Sequence, residues 1–145
     1  MPTSVLAVIG TLGGAVLTCG NVYAQEKKIN CPETISREAI TLSRAPEGWT
    51  PYTDSIFRLR SIGMMSGPPD SLQELVPDGG KQGKTIQTFK WSFQPKDEKW
   101  ISCKYGLGGE MSLSKKIEED MSECVVTYLT DKHGETTIQF KCKPN

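Results

Sequence analysis

Four cysteines, Cys31, Cys103, Cys124 and Cys142, follow a stretch that reads as an export signal, and this pairing constrains the fold more than any other feature of the chain. Residues 1–24 carry no charged side chain, and Val5 to Leu17 is apolar apart from glycines and one threonine. Val22-Tyr23-Ala24 then places small residues at the two positions a signal peptidase reads. Residues 1–24 are therefore expected to be a cleaved signal peptide and residues 25–145 a single disulfide-bonded domain. The apolar run is shorter than the roughly 20 residues a bilayer-spanning helix needs, so no stable membrane insertion is expected after cleavage. Cys19 carries an alternative: Val16-Leu17-Thr18-Cys19 resembles the site at which bacterial lipoproteins are acylated, with Thr18 where that site takes Gly, Ala or Ser. The localisation read from the sequence is periplasmic or secreted, the alternative being a lipoprotein anchored at Cys19.

An even number of cysteines in an oxidising compartment implies two disulfides, each worth about 2–4 kcal/mol, a large share of a small domain's net stability. Four cysteines allow three connectivities. The local pattern selects one. Cys124 to Leu129 and Thr136 to Lys141 are β-branched and aromatic runs separated by Asp131-Lys132-His133-Gly134, which predicts a hairpin. A turn centred near His133 sets Cys124 opposite Cys142, leaving Cys31 to pair with Cys103.

Most of the remaining chain reads as strand. Trp100 to Tyr105 lies between a polar, proline-bearing stretch and Gly106-Leu107-Gly108-Gly109. Its period of two puts Ile101, Cys103 and Tyr105 inside, as a central strand. Ser55 to Ile62 alternates likewise, with Phe57 and Leu59 inward and Arg58 and Arg60 outward. In Thr85 to Phe93 the apolar set is Phe89, Trp91 and Phe93. It is expected to form an aromatic ladder against the Trp100 strand, through a turn at Pro95 to Lys99. Met111 to Ser114 is expected to be a short strand, because a helix continuing to Glu123 would place lysines early and carboxylates late, against its dipole. Ser36 to Ser43 reads as a bent edge strand. Ala45-Pro46-Glu47-Gly48 reads as a turn, with Trp49 plugging the core edge. The expected class is mainly β, α+β at most: a single small antiparallel sheet or meander, stapled by disulfides, with a long Pro/Gly-rich loop from Gly63 to Gly83.

Charge and motif narrow the function. The 17 basic and 17 acidic residues cancel, which argues against nucleic acid or an anionic membrane as partner. Gly79-Gly80-Lys81-Gln82-Gly83-Lys84-Thr85 looks like a phosphate loop but has Asp78 where the motif needs glycine, and a strand where it needs a helix, so a polar loop is expected. His133 is the only histidine. Alone in a turn it cannot complete a triad, and its nine-residue distance from each of Cys124 and Cys142 is unlike structural zinc spacing. Glu118, Glu119, Asp120 and Glu123 read as a solvated acidic run. No catalytic, metal or cofactor site is expected. The Gly63–Gly83 connection is the favoured interaction surface. Pro68 and Pro69 stiffen it, and Met64, Met65 and Leu72 add apolar groups to a polar segment.

The order Cys31-Pro32, Gly48-Trp49, Gly67-Pro68-Pro69, Leu75-x-Pro77, Trp100-x-x-Cys103-x-Tyr105, Cys124 and Cys142 resembles an uncharacterised family of small exported proteins of Gram-negative bacteria. The resemblance implies an envelope or secreted location and a disulfide-bonded domain, with no activity to carry over. Relatives often have a Leu-Pro pair before the third cysteine, where this chain has Ser114-Lys115. The functional expectation is a non-catalytic binding or inhibitor-like module whose partner is an envelope or toxin protein. A structural or accessory envelope protein is the alternative, and a small periplasmic hydrolase the third reading.

Overall fold

The computed structural model describes residues 25–53 and 56–145. The expected signal peptide and Cys19 lie outside the described residues. In chain order the strands are β1 (Lys27–Lys28), β2 (Thr34–Ile35), β3 (Phe57–Met65), β4 (Glu74–Leu75), β5 (Gly79–Gln82), β6 (Ile86–Ser92), β7 (Trp100–Tyr105), β8 (Met111–Lys116), β9 (Met121–Thr130) and β10 (Thr136–Pro144).

They are antiparallel and divide between two sheets. The first runs β1-β10-β9-β6-β5 and the second β2-β3-β7-β8, with β4 beside the end of β3. One core joins them, with Ile62, Met64, Ile101, Cys103 and Tyr105 from the second sheet meeting Trp91, Cys124, Val126, Phe140 and Cys142 from the first. The mainly β, antiparallel, twice-stapled class is as the sequence reads, but two sheets stand where a single sheet or meander is expected.

The division follows from how β6 is used. Its edges are taken by β5 and β9, so no edge remains for β7. The expected ladder between Phe89, Trp91, Phe93 and the Trp100 strand therefore does not form. Phe89 stands opposite Val126 and Trp91 opposite Cys124, and Phe89 meets Tyr128 edge-on at 5.9 Å. The intervening turn does form. The Asp97 N–H donates to Gln94 O at 3.2 Å, with Lys96 in the left-handed region at φ 73°, and it carries the chain from one sheet to the other.

Strand β7 is the interior strand its alternation predicts. Ile101, Cys103 and Tyr105 are buried between β3 and β8. Both expected disulfides are present. Cys124 and Cys142 are directly opposite on β9 and β10. Cys31 lies where the chain passes from β1 in the first sheet to β2 in the second, so its bond to Cys103 fastens a strap across both. The Tyr105 hydroxyl adds a hydrogen bond to Pro32 O at 2.8 Å.

Three local expectations are corrected. Ser36 to Ser43 forms a single 3-10 turn, Arg37–Ala39, rather than an edge strand, because little of it beyond a half-buried Ile40 has an apolar surface to pack. The Gly48 turn forms, with Trp49 N–H donating to Pro46 O at 3.0 Å, but Trp49 is 75% exposed and plugs nothing. Gly79 to Gln82 is strand rather than loop. It lies so close to β6 that a Cβ on Gly80 (φ 147°) would come within 2.1 Å of Thr88 O, which only glycine permits.

Candidate functional site

The Gly63–Gly83 segment is more ordered than its composition suggests. Gly63, Met64 and Met65 complete β3, Glu74–Leu75 pair back onto it, and Gly79–Gln82 join the first sheet. What remains is a closed loop. Ser66 N–H donates to Gln73 O at 3.0 Å, and the Ser66 hydroxyl to Gln73 Oε1 at 2.9 Å. Pro68 is extended (φ −64°, ψ 159°), and its carbonyl accepts both the Ser71 N–H at 2.9 Å and the Ser71 hydroxyl at 2.7 Å. A 3-10 turn, Pro69–Ser71, ends at Leu72 in the left-handed region (φ 53°).

The five residues read from the sequence as a binding surface thus separate. Pro68, Pro69 and Leu72 stand exposed, Leu72 at 83%. Met64 and Met65 point into packed protein at 0% and 7% exposure, where they anchor the base of the loop and are out of a partner's reach. They sit at the end of a period-two strand whose inner face continues from Ile62.

Beside the loop lies a hollow of about 440 Å³ lined by Ser66, Leu75, Val76, Asp78, Trp91, Ser92, Phe93, Asp97 and Glu98. Trp91 and Phe93 are its buried floor. The Trp91 indole N–H donates to Leu75 O at 3.1 Å, which ties β4 of one sheet to β6 of the other and sets the depth of the groove. Val76, 86% exposed, forms an apolar lip. The polar rim is acidic. Asp78 Oδ2 accepts the Ser92 N–H at 2.7 Å, Asp97 Oδ2 accepts the Gln94 N–H at 2.7 Å, and Glu98 Oε1 accepts the Trp100 indole N–H at 3.0 Å. Lys116 Nζ approaches Glu98 at 3.8 Å.

Sequence reading included Val76 and Asp78 in the Gly63–Gly83 connection without singling them out, and it missed Asp97 and Glu98. The pair Val76 and Asp78 lies about 20 residues from the pair Asp97 and Glu98, and tertiary structure brings the two pairs together. The one signal was that the Pro95–Lys99 turn is polar and charged.

A second face is charged but balanced in sign. On the outer side of the first sheet, Lys90 and Lys143 pair with Glu123 and Lys141 with Glu26, and Glu26, Glu123, Lys141 and Lys143 line a smaller hollow of about 230 Å³. Hydrogen bonding to Lys143 holds the Glu123 carboxyl below the usual range, partly opposed by burial and helped by a weaker hydrogen bond to Lys90. Arg58 and Arg60 are exposed along β3. His133 sits exposed in the hairpin turn, its backbone N–H bonded to Asp131 Oδ1, and Cys124 and Cys142 are committed to their disulfide. Among the described residues no three His, Cys, Asp or Glu side chains are grouped as a metal site.

The family model of the type VI secretion system Tli immunity protein matches residues 53–143. That span takes in β3 to β9 and nearly all of β10, with the loop and the acidic groove, and leaves out β1, β2 and Cys31. No curated protein and no solved structure matches the chain.

Proposed function

The chain belongs to the type VI secretion system Tli immunity protein family, and from that premise we propose that it neutralises one toxin of such a system in the cell envelope by binding it through the Pro68–Leu72 loop and the adjoining groove. The protein is a non-catalytic, inhibitor-like binding module, and membership of an immunity family does not favour the accessory envelope role. The family match carries this reading. The loop supports it physically, because its shape is held by Pro68, Pro69 and the two bonds to Pro68 O before any partner arrives, so little entropy is lost on binding. Residues 1–24 would deliver the chain to the periplasm and be removed there.

Coexpression tests the reading. Each type VI toxin of the source cells is exported to the periplasm of a sensitive host, with and without the full-length protein. One toxin should lose its lethality when the protein is present, and the intact mass of the periplasmic form should begin at Gln25. Protection against none of them would end the immunity reading, and a mass beginning at Met1 or at a lipidated Cys19 would end the cleavage reading. Replacing Pro68 and Pro69 with Ala should weaken capture of the neutralised toxin. Both are exposed, and the two substitutions together cost only about 1–2 kcal/mol through the unfolded chain, so the melting temperature should fall by no more than several degrees. A collapse of the melting temperature, with capture lost in proportion, would make the loop a lid on the core instead.

A further inference from the structure

We propose that the toxin presents a basic side chain, a lysine or arginine on a protruding loop, to the acidic groove. Its aliphatic stem would lie on Leu75 and Val76, and its charged head among Asp78, Asp97 and Glu98. The inference rests on the immunity reading and adds the chemistry of the contact.

Charge is the first argument. Three carboxylates line one hollow and no lysine or arginine does. Lys116 reaches only Glu98, at 3.8 Å. Lys96 makes no ion pair with Asp97 or Glu98 among the described residues. Lys99 is fully buried, engaged by Glu119 O at 3.0 Å and by the Phe93 ring 5.3 Å away. The local hydrogen bonds of Asp78 and Asp97 use Oδ2, and no bond to either Oδ1 forms among the described residues. Low-dielectric walls such as Trp91 and Phe93 concentrate such a field at the opening.

Shape is the second. A small cation needs only oxygens, whereas this groove is lined by apolar Leu75 and Val76 together with its carboxylates. Val76 is 86% exposed, and the loop next to it exposes Leu72. Lysine and arginine match that arrangement, since each carries its charge at the end of an apolar stem. The two non-glycine residues with left-handed backbone among those described, Leu72 and Lys96, stand on the two segments that flank the hollow. Strain of this kind persists where the surroundings impose it and concentrates at binding sites.

The test uses the purified toxin identified by protection, and the variant Asp78→Asn/Asp97→Asn/Glu98→Gln. Each amide keeps an acceptor oxygen for Ser92, Gln94 or Trp100. Wild-type affinity should fall about tenfold or more between about 50 and about 300 mM salt. The triple variant should bind at least about tenfold more weakly at the lower salt and lose most of that salt dependence. Lys141→Gln/Lys143→Gln, on the outer face of the first sheet, should bind as wild type does. If the triple variant unfolds early, Asp97→Asn and Glu98→Gln tested singly on the exposed turn should each reduce affinity about threefold. Unchanged affinity and salt dependence in the folded acidic variants, or a loss confined to the lysine variant, would overturn the groove while leaving immunity standing. Self-association through the groove, detected as a dimer of the wild type that the triple variant lacks, would overturn it as well. Failure of the wild type to bind or protect against any toxin would instead remove the immunity reading, and the groove with it.

Discussion

Removing the Cys31–Cys103 bond should destabilise the protein more than removing Cys124–Cys142, even though the second bond sits deeper in a regular hairpin. The bonds close loops of very different length, with sequence separations of 72 and 18. Treating each as a restraint on the unfolded chain, the longer loop is worth about 4 kcal/mol and the shorter about 3 kcal/mol. The structure adds to the difference. The strap held by Cys31 has only β1 and β2, two residues each, and the Tyr105–Pro32 hydrogen bond to retain it, whereas β9 and β10 stay paired along most of their length without a covalent tie. The comparison is between Cys31→Ala/Cys103→Ala and Cys124→Ala/Cys142→Ala in equilibrium guanidinium unfolding of the mature protein. The first variant should lose about 4 kcal/mol, lowering the melting temperature by about 15 °C for a domain of this size. Equal losses, or the reverse order, would refute the loop-entropy reasoning. A loss below about 1 kcal/mol for the first pair would show that residues 25–35 detach locally and contribute little to the global transition.

Tyr128→Phe should cost about 1–2 kcal/mol in urea unfolding, because its hydroxyl accepts the Ile62 N–H at 3.1 Å, on a stretch of β3 lying between its pairings with β2 and β4. A change within error would mean that water replaces the bond. Glu123 should contribute to an acid-sensitive part of the stability. Its folded carboxyl lies below the ordinary range, so its contribution is complete above the unfolded value and is lost as pH falls through the folded one. The melting-temperature gap between wild type and Glu123→Gln should therefore close on acidification from about pH 7 to about pH 3, and a constant gap would contradict the assignment.

The sequence alone determined what depends on neighbours along the chain. Alternation in Trp100–Tyr105 named its buried face, because successive strand residues must point to opposite sides. The Asp131–Gly134 turn set the β9–β10 register, and with it both disulfides, because a short loop leaves two strands only one way to face each other. The class followed from the same signals: mainly β, antiparallel and stapled. Tertiary structure decided what depends on competition among distant segments. Period two tells which side of β6 is apolar but not which strands take its edges. Once β5 and β9 did so, β7 had to join another sheet and the aromatic ladder was lost. The same competition drew Met64 and Met65 into the interior and left Trp49 outside, since a hydrophobic residue is buried only if a complementary surface reaches it. It also assembled the groove. Asp78 and Asp97 look like ordinary turn residues in the chain, and they come to line one hollow in a structure where Asp78 is bonded to β6 and the Trp91 indole holds Leu75 across the gap between the sheets.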